Sequence, residues 1–76
     1  MEREYAELLV HAKKITGTSY ITINNRSFYV MLPFEAFEVV NDGYIEAERF
    51  ERFTFDGNHF YIAEVTLWES SKRTST

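Results

Sequence analysis

Residues 44–68 read YIEAERFERFTFDGNHFYIAEVTLW, and the fold turns on how this stretch is read. Two aromatic, β-branched runs flank Asp56-Gly57-Asn58. An Asp-Gly between such runs is the strongest short-range sign of a β-hairpin, because glycine reaches positive φ without steric cost and aspartate tolerates the turn. The second arm alternates as a strand should. Phe60, Ile62, Glu64, Thr66 and Trp68 face one side, and Tyr61, Ala63, Val65 and Leu67 the other. The first arm alternates cleanly only at Phe53 and Phe55. Upstream it carries Glu46, Glu48, Arg49, Glu51 and Arg52, so the most aromatic part of the chain is also its most charged.

Upstream of the hairpin, residues 18–32 read as a second one. Tyr20-Ile21-Thr22-Ile23 is β-branched and aromatic, and Asn24-Asn25-Arg26 suits a tight turn because asparagine tolerates left-handed φ. The return run, residues 27–32, is almost continuously apolar, which predicts a centre strand covered on both faces. Pro33 stops it and is placed to open a short helix through Val40, with Phe34, Phe37 and Val40 inward and Glu35 and Glu38 outward. Asn41-Asp42-Gly43 then serves as a helix stop or as a hairpin turn, which leaves an extended reading of 34–40 open.

At the N-terminus, Tyr5, Leu8, Leu9, Ala12 and Ile15 form one apolar stripe at helical spacing, with Glu2, Glu4 and Glu7 at the start and Lys13 and Lys14 in the last turn. Gly17 lies where a left-handed terminating residue belongs. A strand with Ala6, Leu8, Val10 and Ala12 on one face is the rival, and it would set Lys13 and Lys14 on opposite faces. The sequence therefore predicts an α+β domain over residues 1–69, an N-terminal helix on a small antiparallel sheet built from two β-hairpins. The alternative is a small all-β barrel. Residues 70–76 lack apolar side chains and are expected to form a disordered tail.

Seventy-six residues allow one domain and a marginal core, and with no cysteine neither a disulfide nor a thiolate–zinc site can reinforce it. Seven Phe, five Tyr and one Trp can, and so can oligomerisation. The longest uncharged apolar run, residues 27–34, is far too short to span a bilayer, and Met1-Glu2-Arg3-Glu4 lacks the apolar core of an export signal. A cytoplasmic protein without membrane association is the expectation.

Net charge is −4, and it is unevenly placed. Residues 27–70 hold nine acids against Arg49 and Arg52, whereas most of the bases, Lys13, Lys14, Arg26, Lys72 and Arg73 among them, lie outside that stretch. An acidic domain repels phosphates and favours basic partners. No catalytic constellation is present: His11 and His59 lack a second ligand at metal-binding spacing, and Gly17, Gly43 and Gly57 stand singly. Glu46 and Glu48, about 6.6 Å apart if they share a strand face, would need a pocket before they could act as acid and base. Neither an enzyme nor a cofactor is expected.

The sequence points instead to a non-catalytic protein-binding regulator or inhibitor that occupies a basic, nucleic-acid-binding surface of its partner. Glu35, Glu38, Asp42, Glu46, Glu48 and Glu51 form the acidic row, with Tyr44 and Phe50 as anchors. One helix can cover only one face of the sheet. Surplus apolar surface at Phe60, Tyr61, Ile62, Val65, Leu67 and Trp68 therefore predicts a homo-oligomer, most simply a dimer. The alternative is a single-stranded nucleic-acid-binding module that stacks bases on Tyr20, Tyr29, Tyr61 and Trp68.

Overall fold

In a computed structural model, which describes residues 1–66, the chain forms helix α1 (Arg3–Thr16), strands β1 (Tyr20–Ile23) and β2 (Arg26–Met31), helix α2 (Pro33–Asn41), a 3-10 turn (Ala47–Arg49) and strands β3 (Glu51–Phe55) and β4 (Asn58–Val65). The expected tail over residues 70–76, with Leu67 and Trp68, lies outside the described residues.

Local chemistry sets both hairpins. Asn24 and Asn25 have φ of 54° and 63°, and Asp56 and Gly57 have 51° and 79°. Two successive left-handed residues make the two-residue turn whose twist matches that of the flanking strands. Ile23 then faces Arg26, and Phe55 faces Asn58. β4 also pairs antiparallel with β2, giving an open four-stranded sheet in the order β1-β2-β4-β3 rather than a barrel. The nearly continuous apolar run is β2, a centre strand, as its pattern predicts. Gly57 meets no neighbour at the position a Cβ would take, so Gly57→Ala tests its backbone alone. It is expected to cost about 1 kcal/mol in denaturant unfolding, because alanine resists positive φ.

α1 covers one face of the sheet and α2 the other. Beneath α1, Ala6, Leu9 and Val10 pack on Ile21, Phe28, Val30, Phe55, Phe60 and Ile62. The helix is where the sequence places it, but its inward stripe is turned. Ala6, Leu9, Val10 and Lys13 are buried, whereas Leu8 is about half exposed and Ile15 is 70% exposed. Two contacts explain the turn. The small Ala6 side chain permits close approach to the sheet, and the Lys13 ammonium finds acceptors below the helix in Ser19 Oγ (2.7 Å) and Glu35 Oε1 (3.0 Å). Tyr5 stays at the edge, its ring 5.4 Å from that of Phe28 and its hydroxyl donating to the Ile23 carbonyl.

On the opposite face Tyr29, Met31, Ala63 and Val65 are buried with Ala36 of α2 and Ile45, flanked by Val39, Val40, Phe50 and Tyr61. This second cover changes two expectations. Among the described residues the sheet has no bare apolar face, because Phe60 and Ile62 belong to the α1 core and Val65 to the α2 core. The first arm of the second hairpin is also short: β3 starts at Glu51, and residues 44–50 run as a loop and 3-10 turn. Ile45 is drawn down as a plug on this face, which bends the chain out of strand geometry.

Candidate functional site

α2 starts where Pro33 sets φ, and Glu35 folds back so that its Oε1 accepts from the Leu32 N–H at 2.9 Å. The same carboxylate takes the Lys13 ammonium, and its second oxygen accepts from the Ser19 hydroxyl at 3.0 Å. Burial alone would push the Glu35 carboxyl up. The Leu32 N–H, Lys13 and Ser19 together hold it below the usual carboxylate value. This inward-facing Glu35 fixes the rotation of the helix. Ala36, Val39 and Val40 meet the sheet, and the large rings at Phe34 (71% exposed) and Phe37 (70% exposed) are left outside. The sequence expectation is thus corrected at Phe34, Phe37 and Glu35, whereas Val40 does face the sheet and Glu38 is exposed. Small residues suit a short helix held close to a sheet whose own Tyr29 and Met31 supply the bulk.

Beside Phe37 runs an open groove of about 280 Å³, walled by Ala36, Phe37 and Val40 on one side and by Ala47, Phe50 and Tyr61 on the other. The rings of Phe50 and Tyr61 meet edge to face at 6.5 Å, which shapes that wall. Arg49 braces the loop, its guanidinium 3.5 Å from the Glu64 carbonyl.

The acidic row is divided by the fold. Glu38, Asp42, Glu46 and Glu48 are exposed on α2 and the segment after it, where Tyr44 is also half exposed. Glu35 turns inward, as described, and Glu51 pairs with the Met1 ammonium at 3.2 Å. Glu46 and Glu48 bracket the start of the 3-10 turn and do not share a strand face, which removes the geometry of a paired-carboxylate site. Phe50 is half-buried as a groove wall rather than a free anchor. Of the six residues expected at an oligomer contact, Phe60, Ile62 and Val65 are internal, Tyr61 lines the groove, and Leu67 and Trp68 lie outside the described residues.

A wider depression of about 620 Å³ follows the outer side of α1 near the β3–β4 turn, where Arg3, Glu7, His11, Lys14 and Asp56 mix both signs of charge. Much of that charge is already engaged: Lys14 lies 3.7 Å from Asp56, and Arg3 donates to the Thr54 carbonyl. Arg26 grips Glu64 with two hydrogen bonds of 2.9 and 2.8 Å while stacking over Tyr5 and Phe28. That grip lowers the Glu64 carboxyl and raises the guanidinium. Lys13, Lys14 and Arg26 each lie in an ion pair and Tyr29 is buried, whereas Tyr20 is exposed and Trp68, Lys72 and Arg73 lie outside the described residues. Among the described residues no group of three or more His, Cys, Asp or Glu could hold a metal ion, and no helix is long and apolar enough to cross a membrane.

Phe34 and Phe37 are the site residues that sequence reasoning missed. A usable signal existed, because Pro33 at the first helical position with Glu35 at the third is the phase of a back-hydrogen-bonded helix start, and that phase turns Phe34 and Phe37 outward. No family model, curated protein or solved structure matches this chain.

Proposed function

We propose that the protein works by binding another protein, without catalysis, and that α2 with the adjoining 3-10 turn is its contact surface. The observation that carries this reading is the pair Phe34 and Phe37, each more than two-thirds exposed on one short helix beside an apolar groove. Isolated exposed leucines are ordinary, but aromatic rings gathered at a groove mark a binding surface. Glu38, Asp42, Glu46 and Glu48 surround it and select the partner. The complementary surface is basic with an apolar residue at its centre, so that charge steers the encounter and the rings anchor the complex. A basic nucleic-acid-binding surface has this character, and occupying one would make the protein a regulator or inhibitor. A twofold contact between copies through this face would set those acids against one another, so a partner of opposite charge suits it better than self-association.

Affinity capture tests this. The captured protein is expected to be basic at its contact, to be released by high salt, and to bind Phe37→Ala at least about tenfold more weakly. Charge reversal at Glu46 and Glu48 should weaken it further while the far-UV spectrum stays unchanged. Capture indifferent to all three substitutions, or tight binding of single-stranded RNA or DNA in a gel shift, would overturn the reading.

A further inference from the structure

We propose that β1 is the edge through which two copies of this chain join, strand against strand about a twofold axis at Thr22, so that their four-stranded sheets become one. The sheet ends on β1 and β3, and the two edges are built differently. An open strand edge invites another strand, and charge, proline or a covering side chain is what ordinarily blunts it. β3 is protected in this way. It carries Glu51 and Arg52, and the Arg3 guanidinium donates to the Thr54 carbonyl at 3.0 Å. That carbonyl points out from the sheet, because Phe55 and Asn58 pair beside the turn and the ladder alternates from there. β1 reads Tyr20-Ile21-Thr22-Ile23, β-branched and aromatic, with neither charge nor proline.

Register makes the β1 edge self-complementary. Ile23 pairs with Arg26 beside the two-residue turn, and Ile21 with Phe28, and these pairs exchange the ladder hydrogen bonds. Thr22, between them, therefore turns its N–H and C=O away from β2. In an antiparallel pair centred on Thr22, the two Thr22 backbones bond to each other and their side chains stand opposite, a cross-strand pairing that sheets favour. Ile21 of each copy then faces Ile23 of the other, on the α1 side of the sheet. The flank above is apolar as well. Tyr5, whose hydroxyl reaches the Ile23 carbonyl, and Ala12 are half-buried there, and the half-exposed Leu8 continues the stripe at helical spacing. A second copy thus covers the part of the α1 stripe that the core leaves out, and β1 brings no charge to the axis. The axis runs through the sheet from face to face, so both α2 surfaces lie on one side of the dimer.

Sedimentation equilibrium of the full chain is expected to give twice the 9.0 kDa monomer mass at high concentration and the monomer mass on dilution. Hydrogen exchange of the Thr22 amide should slow several-fold as the dimer forms. Thr22→Pro removes a donor that the β1–β2 ladder does not use, and Thr22→Lys sets two ammonium groups at the axis. Each should weaken the dimer at least about tenfold. Thr22 is exposed, and far-UV circular dichroism establishes that each variant is folded. Phe37→Ala, on the other face, should leave the dimer intact. A chain that stays monomeric at millimolar concentration would overturn the proposal, and so would a dimer that neither Thr22 variant weakens. Loss of the dimer in Phe37→Ala would assign the twofold contact to the α2 surface instead. Should a Thr22 variant fail to fold, the wild-type amide still decides, because exchange equally fast in monomer and dimer places the contact elsewhere. Partner capture through Phe37 is measured separately, so this proposal and that reading fail independently.

Discussion

Phe28→Ala is expected to lower the melting temperature by roughly 15–30 °C, the largest single effect in the molecule. Phe28 is completely buried on the centre strand β2, under α1. Its ring meets Tyr5 at 5.4 Å and lies 5.2 Å beneath the Arg26 guanidinium. Truncation removes the largest fully buried side chain among the described residues and leaves a cavity between two elements that cannot close on it, because the hydrogen bonds of β2 to β1 and β4 hold the strand in register. Losses for such changes run to about 3–5 kcal/mol. A domain of this length has a total stability of only about 4–11 kcal/mol, so much of the folded population is lost on mild heating. Phe34→Ala is the control. The same atoms are removed from a ring 71% exposed on α2, and the expected change stays within about 0.5 kcal/mol. Equal losses for the two variants, measured by thermal and urea unfolding, would contradict the placement of both rings.

That contrast shows what the sequence discloses about this fold. Asp56-Gly57 and Asn24-Asn25 announce their turns because the signal is carried within two residues. The unbroken apolar run of β2 announces a strand covered twice, and the charge order of α1 announces its direction. What the sequence hides is rotation. Helix α2 offers two apolar sides, Phe34 with Phe37 and Ala36 with Val39 and Val40, and hydrophobicity alone prefers the larger. The choice is made instead by Glu35 reaching Lys13 and Ser19, both distant in sequence. The same contact turns α1, since Lys13 must lie inward to meet it. For the candidate surface, the acids at 38, 42, 46 and 48 were legible as exposed charge. The phenylalanines between them were not, because burial of apolar residues is a tendency with many exceptions. The alternation rule also gave no notice that Ile45 would be drawn inward and the strand begin only at Glu51.

Glu35→Gln is expected to destabilise the fold by about 2 kcal/mol, and Lys13→Met by clearly less. The asymmetry follows from exposure. The Lys13 side chain is only 10% exposed, so without a carboxylate its ammonium keeps Ser19 as a partner but stays out of water. The Glu35 side chain is 37% exposed, and without Lys13 it still holds the Leu32 N–H, the Ser19 hydroxyl and solvent. That exposure also screens the pair, so the larger penalty falls below the value for a fully enclosed ion pair. Replacing both partners at once, Lys13→Met with Glu35→Gln, leaves no buried charge and is expected to recover most of the loss. The pH dependence has a definite sign. The folded Glu35 carboxyl titrates below its unfolded value, so the unfolded chain binds more protons in the window between them. The stability is therefore fully present above the unfolded carboxylate range, about pH 4.3, and is lost as pH falls through the lower folded value. Glu35→Gln should flatten this acid limb in part, with the remainder supplied by Glu64, whose carboxyl Arg26 lowers in the same sense. Because Glu35 also bonds the first turn of α2, its loss frees the helix that presents Phe34 and Phe37. Hydrogen exchange should then rise in residues 33–41 before it rises in β2 and β4, and a uniform rise across the whole domain would show that Glu35 supports the fold without seating this helix.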